Sequence, residues 1–298
     1  MTKSFPAATP SATIILTRPA AVGFEVYLLK RSARSRLMAG NYVFPGGMVD
    51  AIDGEAEKWL PHADMNVETI SQHLGGGLDS REALAYGVAA IRETFEEAGV
   101  LLAHSNGSTS ESLAQANRRR EAGDFRPGWF HALISENAWC LELGRLNRWA
   151  HWVTPLEIKR RYDTRFFVAD MPPDQTCLPD ALETTHGIWV TPIEGLEANL
   201  SGRILLRPPT MVTLQALTKF NSHETLLREI ANRPWGMPIQ PRFIPLAEGG
   251  ITIEPWDPEF EAEHIEIDPS RLGDKLLPVG ADFSRVWQHQ GVWRPVGV

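Results

Sequence analysis

The chain has 298 residues, 43% of them hydrophobic and 22% charged, with 24 glycines and 22 prolines, which excludes a disordered, collagen-like or fibrous protein. Its 29 basic and 37 acidic side chains leave a net charge of −8; no basic footprint of a nucleic-acid binder is present, and a polyanionic ligand needs a metal ion or a local arginine cluster. The two cysteines, Cys140 and Cys177, have neither CxxC nor metal-ligand spacing, so a disulfide framework and a zinc site are not supported and an intracellular, cytoplasmic protein is expected.

In chain order, residues 12–16 and 25–29 are short β-rich runs around a turn at Pro19 and Gly23, and predict a strand, a turn and a second strand. The first run is too short for a signal-peptide core or a membrane span, and no later stretch approaches the apolar length of a span, so no membrane association is expected. Residues 31–40 are polar and basic, after which Tyr42-Val43-Phe44 runs into Pro45-Gly46-Gly47, a sharp backbone feature. Residues 51–79 lack steady periodicity and predict a long surface excursion. Within it Gly75-Gly76-Gly77 reads as a flexible linker, because the Lys and Ser/Thr of a phosphate loop do not follow.

A helix is predicted from the capping pair Asp79-Ser80 through Ala98, with Gly99 as its stop and Ala85, Val88, Ala89, Ile91 and Phe95 on its buried side. Residues 104–147 form a second insertion, a polar loop and then helices, with Phe130, Leu133 and Ile134 in helical phase, read as a cap or flap. Strand character returns at 149–153, 164–168 and 187–190. Thr210 is predicted to cap a helix with Leu214, Leu217 and Phe220 in phase, and Ser222 another through Leu226, Leu227 and Ile230. Residues 1–233 read as the main domain and 234–298 as an extension of short strands and turns. That extension holds nine prolines and four tryptophans, and its indoles must pack on the rest of the chain or across a homodimer. The alternation of strands and helices points to an α/β sandwich.

The chemistry concentrates at Arg92-Glu93-Thr94-Phe95-Glu96-Glu97-Ala98-Gly99. At ~100° per residue, Glu97 lies about 40° to one side of Glu93 and Glu96 about 60° to the other. Three carboxylates thus crowd one arc, where like charges cost a few tenths of a kcal/mol per pair. A hard cation such as Mg²⁺ or Mn²⁺ would relieve them, and Arg92, one turn before Glu96, can orient that carboxylate. A bare run of this kind is usually a solvated acidic face. Phe44-Pro45-Gly46-Gly47, followed by Asp50 and Asp53 ahead of the same helix, changes that reading.

Together these residues resemble the Nudix hydrolases, whose signature runs Gly, five residues, Glu, seven residues, then Arg-Glu-apolar-x-Glu-Glu-x-Gly-apolar. Gly47 matches the first glycine, and Arg92, Glu93, Glu96, Glu97, Gly99 and Val100 match the second half, with Thr94 at an apolar position. An insertion separates the halves, so the first Glu of the signature falls on Asp53 counted forward from Gly47 and on Leu84 counted back from Arg92; Asp53 is the leading candidate, with Asp50 and Glu82 as alternatives. The insertion, residues 28–32, His151-Trp152-Val153-Thr154-Pro155, residues 160–167, Glu183, residues 189–192 and Pro208-Pro209-Thr210 look like the Nudix subgroup that contains peroxisomal acyl-coenzyme A diphosphatases.

The resemblance implies a Nudix α/β/α sandwich with a mixed sheet, a helical insertion and, in this chain, a β-rich C-terminal extension. It implies a diphosphatase dependent on Mg²⁺ or Mn²⁺ and acting on a nucleoside diphosphate linked to another group. Coenzyme A or acyl-CoA is the leading substrate, giving 3′,5′-ADP and a 4′-phosphopantetheine product. ADP-ribose or a dinucleotide is the alternative, and a non-catalytic ligand-binding module is the rival from another class. Glu93, Glu96, Glu97 and the Gly47 backbone would hold the metal, Arg92 would orient them, and Glu183 is the candidate base outside the box. Arg31, Arg36, Phe44, Gly46 and Arg165 are the candidate substrate contacts. His151, His186, Trp129, Trp139, Trp149 and Trp152 read first as packing or surface residues.

Overall fold

The computed structural model describes residues 6–32, 39–105, 110–123, 125–181 and 183–298. Strand β1 (Thr9–Pro19) is the hub of a mixed seven-stranded sheet. Its second half pairs antiparallel with β2 (Phe24–Arg31), which also takes β3 (Tyr42–Val43), and its first half pairs with β4 (Gly46–Met48). After a two-stranded ladder of β5 (Ala103–His104) and β6 (Cys140–Leu141), β7 (Asn147–Val153) pairs with β8 (Tyr162–Asp170), which runs parallel to β1 along nine residue pairs. β9 (Thr184–Val190) joins the far side of β2.

The helices are α1 (Ala56–Trp59), α2 (Val67–Ile70), α3 (Ser80–Ala98), α4 (Ser110–Glu121), α5 (Trp129–Glu136), α6 (Pro192–Leu200), α7 (Pro208–Leu217) and α8 (His223–Ile230). Alternation along β1 sends Ile14 and Leu16 into a core with α3 and both insertions, and Ile15 into a second core with Leu214 of α7 and Leu226 of α8. Both faces of the sheet are therefore apolar and covered, the α/β/α arrangement the resemblance implies. No helix among the described residues is long and apolar enough to cross a membrane.

Helix α3 has the predicted ends. Asp79 accepts from the Glu82 amide at 2.8 Å while Glu82 reaches back to the Asp79 amide at 3.2 Å, and Gly99 leaves the helix at φ +70°. Two other expectations are corrected. Residues 51–79 are no surface excursion: Trp59, Ile70 and Leu74 are fully buried, and Gly75 and Gly76 lie against Trp235, whose indole N–H donates to the carbonyls of Leu74 and Gly75. Their apolar residues sit on several very short helical pieces, so no single period could show them. Helix α7 begins at Pro208, not at Thr210, because two prolines fill first-turn positions whose amides have no intrahelical acceptor; Thr210 is a buried interior residue.

The extension forms an antiparallel sheet of β10 (Arg242–Pro245), β11 (Gly250–Ile253), β12 (Arg285–His289) and β13 (Val292–Val296). It folds back on its own chain. Trp235 joins the α3 core and Trp293 the core under α7 and α8, while Trp287 packs with Ile251 and Ile253. Trp256 stays half-exposed, its N–H donated to the Phe283 carbonyl at 2.8 Å. Ile239 caps the edge of β7 through bonds with His151 and Val153.

One carboxyl in this sheet gives a pH prediction. Glu254 is fully buried, accepts one bond from Thr252, and leaves Oε2 without a partner among the described residues; burial pushes its pKa up to about 8 from an ordinary 4.5. The folded chain thus keeps a proton that the unfolded chain releases. Stability is full below about pH 4.5 and declines towards pH 8, by at most about 1.4 kcal/mol per pH unit. Glu254→Gln is expected to remove that decline, and urea unfolding at pH 5, 6.5 and 8 checks it. A variant whose pH dependence matches the parent's overturns the assignment.

Candidate active site

The site lies where β4 passes beneath the C-terminal half of α3. The Gly46 amide donates to Glu97 Oε2 at 2.9 Å, and a Cβ on Gly46 would stand 2.3 Å from the Ala12 carbonyl oxygen. A Cβ on Gly47 would stand 2.3 Å from the carboxyl carbon of Glu93. The glycine pair is therefore what lets backbone and carboxylates share this space.

Arg92 organises the helix face. It is buried and donates two parallel bonds to Asp53, at 3.1 and 2.9 Å, one to the Met48 carbonyl at 2.8 Å, and one each to Glu93 at 2.8 Å and Glu96 at 3.1 Å. Burial alone would favour the neutral guanidine, but Asp53, Glu93 and Glu96 outweigh it and hold the guanidinium charged. Burial also pushes Asp53 upward against Arg92; the fork-on-fork geometry is that of an ion pair, and the pair is charged at neutral pH. Of the three candidates for the first acid, Asp53 is the one brought to Arg92 with no solvent exposure. Asp50 is largely exposed at 3.8 Å, and Glu82 is held in the α3 cap.

All three box glutamates are pressed towards neutrality by loss of water. Glu93 is pushed up to about 7, mainly by burial with Arg92 opposing. Glu96 is raised by burial, with Arg92 and the Trp129 N–H pulling it down. Glu97 stands well above the ordinary range through burial and the charge of Glu93. Among the described residues no three His, Cys, Asp or Glu side chains converge closely enough to enclose an ion as they stand. The chemistry of the set nevertheless fits one: desolvated hard oxygen donors one turn apart, short of positive charge, beside glycine backbone.

Arg31 links the box to the outer rim, with Nη1 3.6 Å from Glu97 and Nη2 3.4 Å from Glu183, whose carboxylate is 68% exposed. The structure places two of the predicted substrate contacts away from the glutamates. Phe44 is buried with Ile15 and Val26 on the opposite face of the sheet, where its ring finds apolar neighbours. Arg165, on the α3 face by strand alternation, is buried between the rings of Tyr86 and Trp235 at 5.7 and 5.1 Å. Tyr86 is seven residues before Glu93, about 10 Å along the helix, so Arg165 is not brought to the glutamates. Arg36 lies outside the described residues.

Two residues of the second insertion reach the box without any sequence signal beyond their type. Trp129 donates its indole N–H to Glu96 Oε1 at 2.7 Å, and fully buried Arg120 donates to the Glu96 carbonyl at 3.0 Å. The Trp129 ring packs against Phe95, stacked at 6.2 Å, and against Phe125, tilted at 4.9 Å, the packing role read from the sequence.

A mixed sheet carrying Arg92, Glu93, Glu96 and Glu97 on a helix above a glycine turn defines the chain as a Nudix hydrolase. Residues 4–217 match the family described as the NUDT19 Nudix domain, and the chain belongs to that family. It is 29% identical to the acyl-coenzyme A diphosphatase NUDT19 of Gallus gallus, across 88% of this chain and 82% of that protein. To the Homo sapiens protein of the same name it is 27% identical, across 90% and 82%. The crystal structure of a Nudix hydrolase from Alicyclobacillus acidocaldarius shares the fold, with a TM-score of 0.61 and 23% identity over 78% of this chain and all of that one.

Proposed function

We propose that this chain is a diphosphatase of coenzyme A and its acyl derivatives that works with Mg²⁺ or Mn²⁺ and releases 3′,5′-ADP and the corresponding 4′-phosphopantetheine. The observation that carries the hydrolytic reading is the cluster of Glu93, Glu96 and Glu97, taken from water yet pinned in place by Arg92 and the Gly46 amide. The substrate class is supported by the names of its relatives. A net charge of −8 also leaves a polyanionic diphosphate dependent on added cations.

Glu93, Glu96 and Glu97, with the Gly47 carbonyl, would hold the metal. Once bound, such an ion neutralises the diphosphate and lowers the pKa of a bound water. The chain's own groups do the rest. Asp53 fixes Arg92, Arg92 fixes Glu93 and Glu96, and the Gly46 N–H fixes Glu97. Arg31 offers a cation at the mouth for a phosphate oxygen. Exposed Glu183, across Arg31 from Glu97, can take a proton from the attacking water.

A hydrolysis screen of coenzyme A, acetyl-CoA, ADP-ribose, NADH and a diadenosine polyphosphate, each with Mg²⁺ and with Mn²⁺, tests the reading. Preferred turnover of the coenzyme A compounds is expected. Faster turnover of ADP-ribose or a dinucleotide would move the assignment to those substrates, and turnover of none would leave a ligand-binding module.

A further inference from the structure

Each oxygen of the Glu96 carboxylate has its own donor. Oε2 accepts from Arg92 Nη1 at 3.1 Å, and Oε1 accepts from Trp129 Nε1 at 2.7 Å. One donor would leave the carboxylate free to swing about that bond; two, on opposite oxygens, set the plane. The second donor is itself immobilised. The Trp129 ring packs against Phe95 and Phe125, and the next residue, Phe130, is buried against Phe95 and Trp59. An indole N–H only donates, so at this place it can serve an acceptor and nothing else. The same insertion holds Glu96 a second time through the main chain, by Arg120.

We propose that Trp129, carried on α5, is a positioning residue that orients the Glu96 carboxylate for metal binding through its indole N–H. This rests on the reading of Glu96 as a metal ligand given above. Trp129 acts through Glu96, as outer-shell partners of metal-binding carboxylates do. The second insertion is then part of the metal site, and its displacement would loosen Glu96.

The test separates the N–H from the ring. Trp129→Phe removes the donor and some packing. Replacing Trp129 with its benzothienyl isostere, which has sulfur in place of N–H, removes the donor and keeps the shape. Mn²⁺ binding to the metal-stripped full chain is counted by electron paramagnetic resonance of the free ion, alongside kcat, KM and the melting temperature. Both replacements are expected to weaken Mn²⁺ binding by ~10- to 100-fold and to lower kcat, with the KM for coenzyme A within about twofold, a span that RT fixes at some 0.4 kcal/mol. The isostere is expected to melt as the parent does. An isostere that binds Mn²⁺ and turns over like the parent overturns the proposal and leaves Trp129 as packing. A parent that binds Mn²⁺ but cleaves no diphosphate fails the functional reading alone, since the binding comparison still reads Trp129. A parent that binds no Mn²⁺ overturns both.

Discussion

Glu97→Gln is expected to lower diphosphate hydrolysis at least ~100-fold, the scale for a mispositioned catalytic metal, while the metal-free protein melts at an equal or higher temperature. Glu97 is buried, and its carboxyl is raised by loss of water and by Glu93. A group with a raised folded pKa weighs on stability as pH climbs past its unfolded value, so the relief from an uncharged amide should grow from pH 5 to pH 8. The amide oxygen can still accept from the Gly46 N–H, and what is lost, the contact with Arg31, is a long one at 3.6 Å. Steady-state kinetics at saturating Mg²⁺, paired with calorimetry in a chelator, measures both arms. Retained activity with a large drop in melting temperature would make Glu97 a structural residue.

Asp53→Ala should cost about 3–5 kcal/mol, the range for breaking a buried ion pair from one side. Arg92 would lose its parallel pair of bonds in a place without water and would turn more of its charge on Glu93 and Glu96. Asp50→Ala, at an exposed side chain 3.8 Å from Arg92, should change stability by no more than ~0.5 kcal/mol. Urea unfolding of the two variants side by side decides which acid stands in the first-glutamate position. Equal losses would remove Asp53 from it.

That position shows how far the sequence could be read. Counting forward from Gly47 reaches Asp53 and counting back from Arg92 reaches Leu84; the structure sets Asp53, on the short 3₁₀ turn Ala51–Gly54, against Arg92, a meeting that neither count could show. The ends of α3 were legible because Asp79 and Gly99 act within one turn of their own positions. The places of Phe44 and Arg165 were not legible: Phe44 turns into the core away from the glutamates, and Arg165, though on the α3 face, is held by the rings of Tyr86 and Trp235, which residue type alone does not give. Trp129 and Arg120 were out of reach for a different reason: they meet Glu96 from 33 and 24 residues away, and no period or spacing encodes such a meeting.

The bond from Trp235 to Leu74, spanning 161 residues, has a consequence for synthesis. Ribosomes add about 5–20 residues per second, so the box helix waits roughly 7 to 27 seconds in a nascent chain before the indole that closes its core arrives. β8, the parallel partner of β1, is late as well, since Ser11 and Thr164 meet across 153 residues. Through that interval Leu74, Ile14 and the apolar side of α3 lack their native cover. Chains that terminate before residue 235 are therefore expected to expose apolar surface and to aggregate more readily than the full chain.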